Sequence, residues 1–235
     1  MLTRAILVMG VVLVVGSMCA GCRSKGEVVD AESSPSGSGK AVTAILETSV
    51  GNITLELDRE HAPLSVDNFV RHASAGHYDN TVFQRVIPNF VIQGGSHTPE
   101  LVNLPASAAA ARKPGEPLGL DTPIKNEWQN GLKNVKGSVG LGRDTDPDSG
   151  TREFYINVVD NPKLDTPREV SGGAGYAVFG RVTDGWDAVE KIRVGVTGSR
   201  AEKIRKNGEL VDGELMKDVP LELVVVKRVR VVGTR

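Results

Sequence analysis

Cysteine is nearly absent. The chain of 235 residues has two, Cys19 and Cys22, and none beyond. A body without thiols excludes a disulfide framework, a cysteine-built zinc cluster and a thiol nucleophile. Histidine is sparse as well, and His61, His72, His77 and His97 fall at no spacing that makes a metal site, so neither metal nor cofactor is expected. Charge of one sign is missing: the net charge is -1, with no interleaving of aromatic and basic residues, which sets nucleic acid aside as a partner. The acidic loop Asp144 to Gly150 begins like a calcium loop. It departs from one at three places: its glycine is seventh, Pro147 interrupts it, and Tyr155 stands where the bidentate glutamate belongs. It reads as a solvated loop, and a calcium-dependent adhesion role is correspondingly weak. Finally, long hydrophobic runs are lacking. The apolar stretch Ala5 to Val15 is too short to span a bilayer comfortably.

That stretch follows Arg4 and leads through small residues to Cys22, the layout of an export signal over residues 1–22. Its end, Met18-Cys19-Ala20-Gly21-Cys22, resembles a bacterial lipobox, although Cys19 stands where leucine is usual. The resemblance implies lipidation at Cys22 and an exported protein, anchored in a cell-envelope membrane and facing the periplasm or the exterior. Residues 23–40 are rich in Ser, Gly and charge and read as a flexible tether. The folded body spans 41–235, a size that buries a substantial core as one domain, and is expected to act as a monomer.

Within the body, Val42 to Thr48 and Asn52 to Asp58 alternate like strands about a Gly-Asn turn. Pro63 opens a helix whose Val66, Phe69, Val70 and Ala73 make an apolar stripe that ends before Gly76. Two β-branched and aromatic runs in Thr81 to Gly95, split by Pro88-Asn89, read as a hairpin. Strand alternation would place Phe83 and Arg85 on one face. Gly137 to Gly142, Phe154 to Val159, Tyr176 to Val182 and Leu221 to Val232 read as further strands, and Trp186, Val189 and Ile192 mark a second helix. Ser96 to Pro117 and Ser199 to Val219 read as excursions between elements.

The order of words in F-x-R-V-I-P-x-F-x-x-Q-G-G, followed by PIKNEWQNGLKNVKGSVGLGR, EFYINVVDNPKLD and GYAVFGRVTDGWDAVEKI, resembles the cyclophilin family of peptidyl-prolyl cis-trans isomerases. The resemblance implies a mainly β fold, a closed eight-stranded antiparallel barrel capped by two α-helices. It implies that Arg85 is the catalytic donor, that Gln93 orients it and bonds the peptide, and that Phe83, Phe90, Val91, Tyr155, Leu164 and Tyr176 belong to the substrate site. Backbone at Gly142 and Arg143 would align proline-containing polypeptide segments of exported proteins. Glu153 replaces a glutamine common in the family and could pair with Arg85, either orienting it or competing for its donors. The alternative is therefore a peptide-binding chaperone or scaffold with little catalysis. Lys163 stands where cyclosporin-sensitive members carry tryptophan, and Tyr176 where they carry histidine, so weak cyclosporin binding is expected.

Overall fold

The computed structural model describes residues 42–104, 122–206 and 208–233. Chain contacts separate Met1–Gly37 from Ser38–Arg235, and all described residues lie in the second unit. The signal, the tether, Cys22 and residues 105–117 lie outside the described residues.

Strands β1 (Val42–Thr48) and β2 (Gly51–Leu57) pair in register, Ala44 opposite Leu55 and Leu46 opposite Ile53. Their alternation sends every second side chain inward, where Ala44, Leu46, Ile53, Leu55 and Leu57 are buried. Helix α1 (Pro63–Ser74) lays Val66, Phe69 and Ala73 onto this core, with proline in its first turn, where the missing N–H has no intrahelical partner to lose. Helix α2 (Trp186–Arg193) adds Ala188, Val189 and Ile192.

The remaining strands are β3 (Thr81–Val82), β4 (Arg85–Val86), β5 (Val91–Gly94), β6 (Ser138–Leu141), β7 (Phe154–Asn157), β8 (Val178–Asp184), β9 (Thr197–Lys206), β10 (Glu209–Pro220) and β11 (Val225–Val232). Nine of the eleven described strands form one antiparallel sheet in the order β3-β11-β1-β2-β8-β6-β7-β5-β4. The expected closed eight-stranded barrel is thereby corrected: the sheet curls into a half-barrel whose end strands, β3 and β4, follow each other in the chain without sharing a ladder. Phe83 and Gln84 are the reason. They leave the strand path between the two ends, the Phe83 amide donating to the Val224 carbonyl at 3.1 Å while its ring enters the core.

That ring joins Phe69, Tyr78, Phe154 and Phe179 in a chain of tilted and edge-on contacts with centroids 5.0–6.1 Å apart. Such geometry suits ring quadrupoles better than face-to-face stacking. Gly95 lies beside this cluster with φ +101°, and a Cβ there would stand 3.0 Å from the Tyr78 ring and 3.1 Å from the Arg152 carbonyl. Glycine alone meets both demands.

The segment read as a polar excursion is a hairpin. β9 and β10 form their own two-stranded sheet, whose base covers Leu101 and Val82 together with Val219 and Met216. All but Val219 and Pro220 of its strand residues are exposed or only half-buried, so no apolar alternation marked it as strand. The Lys203 amide donates to the Leu101 carbonyl at 2.9 Å, fixing the hairpin to the loop that follows β5.

Candidate active site

Strand register assembles the site. Arg85 lies opposite Gln93, Gln93 opposite Tyr155, and Tyr155 opposite Gly140, so one row crosses β4, β5, β7 and β6. The neighbouring row, Val86, Ile92, Ile156 and Val139, is fully buried in the core. Because strand side chains alternate, the first row must face the other way, onto the outer side of the sheet. Gly140 makes room there: a Cβ would stand 2.2 Å from the Tyr155 ring.

A tight turn brings in the next residues. The Phe90 amide donates to the Ile87 carbonyl and the Ile87 amide to the Val91 carbonyl, both at 2.9 Å, closing the turn around Pro88-Asn89. Val91, Tyr155 and Leu164 form a buried apolar floor, with Phe90 and Tyr176 packed against it. The cavity above encloses about 230 Å³ and is lined by Arg85, Phe90, Val91, Gln93, Gly142, Arg143, Tyr155, Leu164, Arg168 and Tyr176. Two roomier depressions, of about 410 Å³ beside Glu56 and Arg181 and about 660 Å³ between residues 98–104 and the β9–β10 hairpin, show no comparable meeting of cations with an aromatic floor.

Arg85 is held from both sides. Its Nη1 donates to Gln93 Oε1 at 3.1 Å, and its guanidinium carbon lies 5.9 Å from the Phe90 ring centroid. The Gln93 amide nitrogen donates in turn to Glu153 Oε1 at 2.5 Å, and Gln84 Nε2 donates to the same oxygen at 2.6 Å. Glu153 therefore reaches Arg85 through Gln93, and the direct pair expected from the sequence is replaced by this indirect one. Burial pushes the Glu153 carboxyl up from its ordinary value, partly opposed by the amide donors and by Arg85.

The chain of hydrogen bonds continues inward. Gln84, 2% exposed, also donates to Ser96 Oγ at 2.9 Å; Ser96 meets His97 Nδ1 at 2.9 Å; and His97 Nε2 meets Glu202 Oε1 on β9 at 3.1 Å. Since the Ser96 oxygen accepts from Gln84, its own proton is free for Nδ1, which leaves the His97 proton on Nε2 facing Glu202. Burial pushes the His97 imidazole down, against the pull of Glu202.

Asparagines support the apolar wall. Asn134 Oδ1 accepts from Tyr155 Oη at 2.7 Å and from Asn157 Nδ2 at 3.0 Å, while its own Nδ2 donates to Asp165 Oδ1 at 2.8 Å and to the Tyr176 carbonyl at 3.2 Å. Asn161 Nδ2 donates to the Phe90 carbonyl at 2.9 Å. Burial raises the Tyr155 phenol well above its ordinary value, keeping it a donor to Asn134. Arg143 turns its guanidinium onto the carbonyls of Asp144, Ser171, Ala174 and Gly175 at 2.7–3.1 Å and stacks 4.1 Å from the Tyr176 ring centroid.

Of the residues selected from sequence, Arg85, Phe90, Val91, Gln93, Gly142, Arg143, Tyr155, Leu164 and Tyr176 meet at this cavity. Phe83 does not: it is 0% exposed and belongs to the aromatic core. Glu153 stands behind Gln93. Sequence reasoning missed Gln84, Asn134, Asn157, Asn161 and Arg168. Asn157 alone left a trace, a polar residue in an otherwise apolar strand run and in phase with Tyr155.

Residues 43–215 match the family of cyclophilin type peptidyl-prolyl cis-trans isomerases. The chain is 40% identical over 191 residues to peptidyl-prolyl cis-trans isomerase cyp18 of Streptomyces antibioticus, covering 81% of this chain and 99% of that one. To peptidyl-prolyl cis-trans isomerase B of Escherichia coli it is 37% identical, over 78% of this chain and 96% of the other. A crystal structure of a Cryptosporidium parvum cyclophilin type isomerase superposes with a TM-score of 0.57 at 17% identity, over 83% of this chain and all of that one. A second crystal structure of that protein, in the presence of the dipeptide Ala-Pro, gives 0.55 over 82% and 99%. Matching over nearly the whole folded body, the chain belongs to the cyclophilin-type peptidyl-prolyl cis-trans isomerase family.

Proposed function

We propose that this isomerase turns X-Pro bonds with Arg85 as the donor to the prolyl nitrogen, the ring seated on Val91, Tyr155 and Leu164. The planar bond resists rotation with a barrier of roughly 18–20 kcal/mol because its C–N link has partial double-bond character. As the bond twists, the nitrogen becomes pyramidal and regains a lone pair. A donor that meets the lone pair stabilises the twisted state more than the planar one, and no nucleophile or leaving group is needed. Guanidinium suits the task because it remains protonated at any working pH. The observation that carries this reading is the Gln93-held Arg85 at the rim of a pocket with an apolar floor, in a family of prolyl isomerases.

The peptide backbone on either side of the ring would lie along Gln93 and the Gly142–Arg143 segment, which limits its freedom and brings the nitrogen to Arg85. Glu153 would act through Gln93: it anchors the amide nitrogen and so leaves Oε1 facing the guanidinium. Weak cyclosporin binding remains the expectation, with exposed Lys163 beside Leu164. Lys163→Trp should tighten it. We further assign residues 1–22 as an export signal, Cys22 as the lipidated residue and 23–40 as the tether, placing the isomerase at a cell-envelope membrane where it acts as a monomer on exported chains.

The test is an NMR exchange assay on a short X-Pro peptide. Arg85→Ala should lower kcat/KM on the order of 10- to 100-fold, the rate equivalent of a charge-assisted hydrogen bond, with the thermal midpoint little changed. Retention of full activity would overturn the assignment.

A further inference from the structure

We propose that the pocket selects proline segments that carry a carboxylate close to the ring, and that Arg168 is the residue that reads it. This rests on reading the cavity as the proline site.

Three of the residues that line the cavity are arginines, Arg85, Arg143 and Arg168, and none is acidic. Two are committed. Arg85 bonds Gln93, and Arg143 is spent on backbone carbonyls and the Tyr176 ring. Among the described residues Arg168 makes no side-chain hydrogen bond or ion pair; its Nε, like that of Arg143, is buried without a partner, but unlike those of Arg143 its terminal nitrogens bond nothing. The Nε lies out of a ligand's reach; the terminal nitrogens are not enclosed, and they are the donors that an acceptor in the cavity would meet.

The backbone beneath that side chain is fixed. The Arg168 carbonyl accepts from the Ser171 amide at 3.0 Å, the Gly173 amide at 2.9 Å and Ser171 Oγ at 3.0 Å. Binding therefore orders the side chain alone and not the backbone beneath it. Two nearby carboxylates are otherwise engaged, Asp165 by the Asn134 backbone and side chain and Glu153 by Gln84 and Gln93, while Asp144 and Glu169 do not line the cavity. In the acidic loop, Asp146 accepts from the Asp148 amide and Asp148 from the Asn126 amide, and neither lines the cavity. The guanidinium fork matches a carboxylate in two parallel bonds, whereas a ligand cation would meet three like charges.

The carboxylate can belong to an Asp or Glu side chain or to the end of a peptide, and the experiment separates the two. Isomerisation by the full chain is followed by NMR exchange on capped Ala-rich peptides with one proline, carrying Glu, Gln or Lys in turn at each of two positions on either side. An uncapped Ala-Pro-terminated peptide is compared with its amide. One Glu peptide should exceed its Gln counterpart on the order of 10-fold in kcat/KM, chiefly through KM, with Lys lowest and the preference shrinking as salt rises. A preference confined to the free terminus would support the same site with the chain end as its ligand. Arg168→Ala should bring the Glu/Gln ratio close to one, Arg168→Lys should keep part of it, and Arg168→Glu should favour the Lys peptide. Equal rates on all charge forms, or a Glu preference that survives Arg168→Ala, overturns the proposal. Absence of catalysis on every peptide would instead overturn the reading of the cavity as an isomerase site.

Discussion

Glu153 takes two amide donors on one oxygen, and substitutions there separate charge from hydrogen bonding. Glu153→Ala strands Gln93 and the nearly inaccessible Gln84, costing about 1–3 kcal/mol and loosening Arg85. Chemical denaturation should record the first effect and a fall in kcat the second. Glu153→Gln keeps an acceptor oxygen and should keep most of the activity. The two titrating groups in this network have opposite linkage. The folded-state value of Glu153 is raised, so its contribution to stability is whole below the ordinary carboxylate range and is lost as pH rises through the folded value. The folded-state value of His97 is lowered below 6.5, so its contribution is whole above 6.5 and is lost as pH falls through the folded value. Two comparisons check the signs. The advantage of Glu153→Gln over the parent in thermal midpoint should grow from pH 4.5 to pH 7.5. The deficit of His97→Gln should be larger at pH 7.5 than at about 5.5.

At the scale of elements, the pocket floor depends on one missing methyl. Gly140→Ala drives a Cβ into the Tyr155 ring, and since φ at Gly140 is not positive, the strain is steric and not conformational. Overpacking of this kind costs about 1–3 kcal/mol. Because Tyr155 must move to relieve it, KM for an X-Pro peptide should rise more than the melting temperature falls. A normal KM would show that substrate binding does not depend on the position of Tyr155. The β9–β10 hairpin touches the same network from the far side through Glu202 and His97. Its strands escaped the sequence reading because both faces are largely polar. The Thr81 to Gly95 hairpin was legible as two strands and a turn, but the interruption at Phe83 and Gln84 was not. Alternation put Phe83 beside Arg85; the crossing between sheet ends buried Phe83 and turned Gln84 to Glu153 instead.

For the whole molecule, the core runs from Val42 to Val229, within the second unit of the chain and largely within the family match. Residues 41–235 produced alone should therefore fold and show the kcat/KM of the full chain on a soluble peptide. Under the proposed anchoring, Cys22→Ser should move the protein from the membrane to the soluble fraction without changing that value. A soluble parent would overturn the anchor and leave the isomerase intact.

Alternation and helical periodicity in the residues determined the mainly β character and both helices, and the linear motifs carried the resemblance that implied the family and nine of the ten cavity-lining residues, because all of these are local in the chain. Tertiary structure decided the rest. Whether the sheet closes depends on what two residues do between distant ladder ends. Glu153 finds Gln93 and Gln84 across 60 and 69 positions of sequence. The charge of the pocket depends on which arginines are already engaged, Arg143 by carbonyls up to 32 residues away and Arg168 by no side-chain partner among the described residues. Such partnerships are set by folding in three dimensions, and no local pattern in the sequence encodes them.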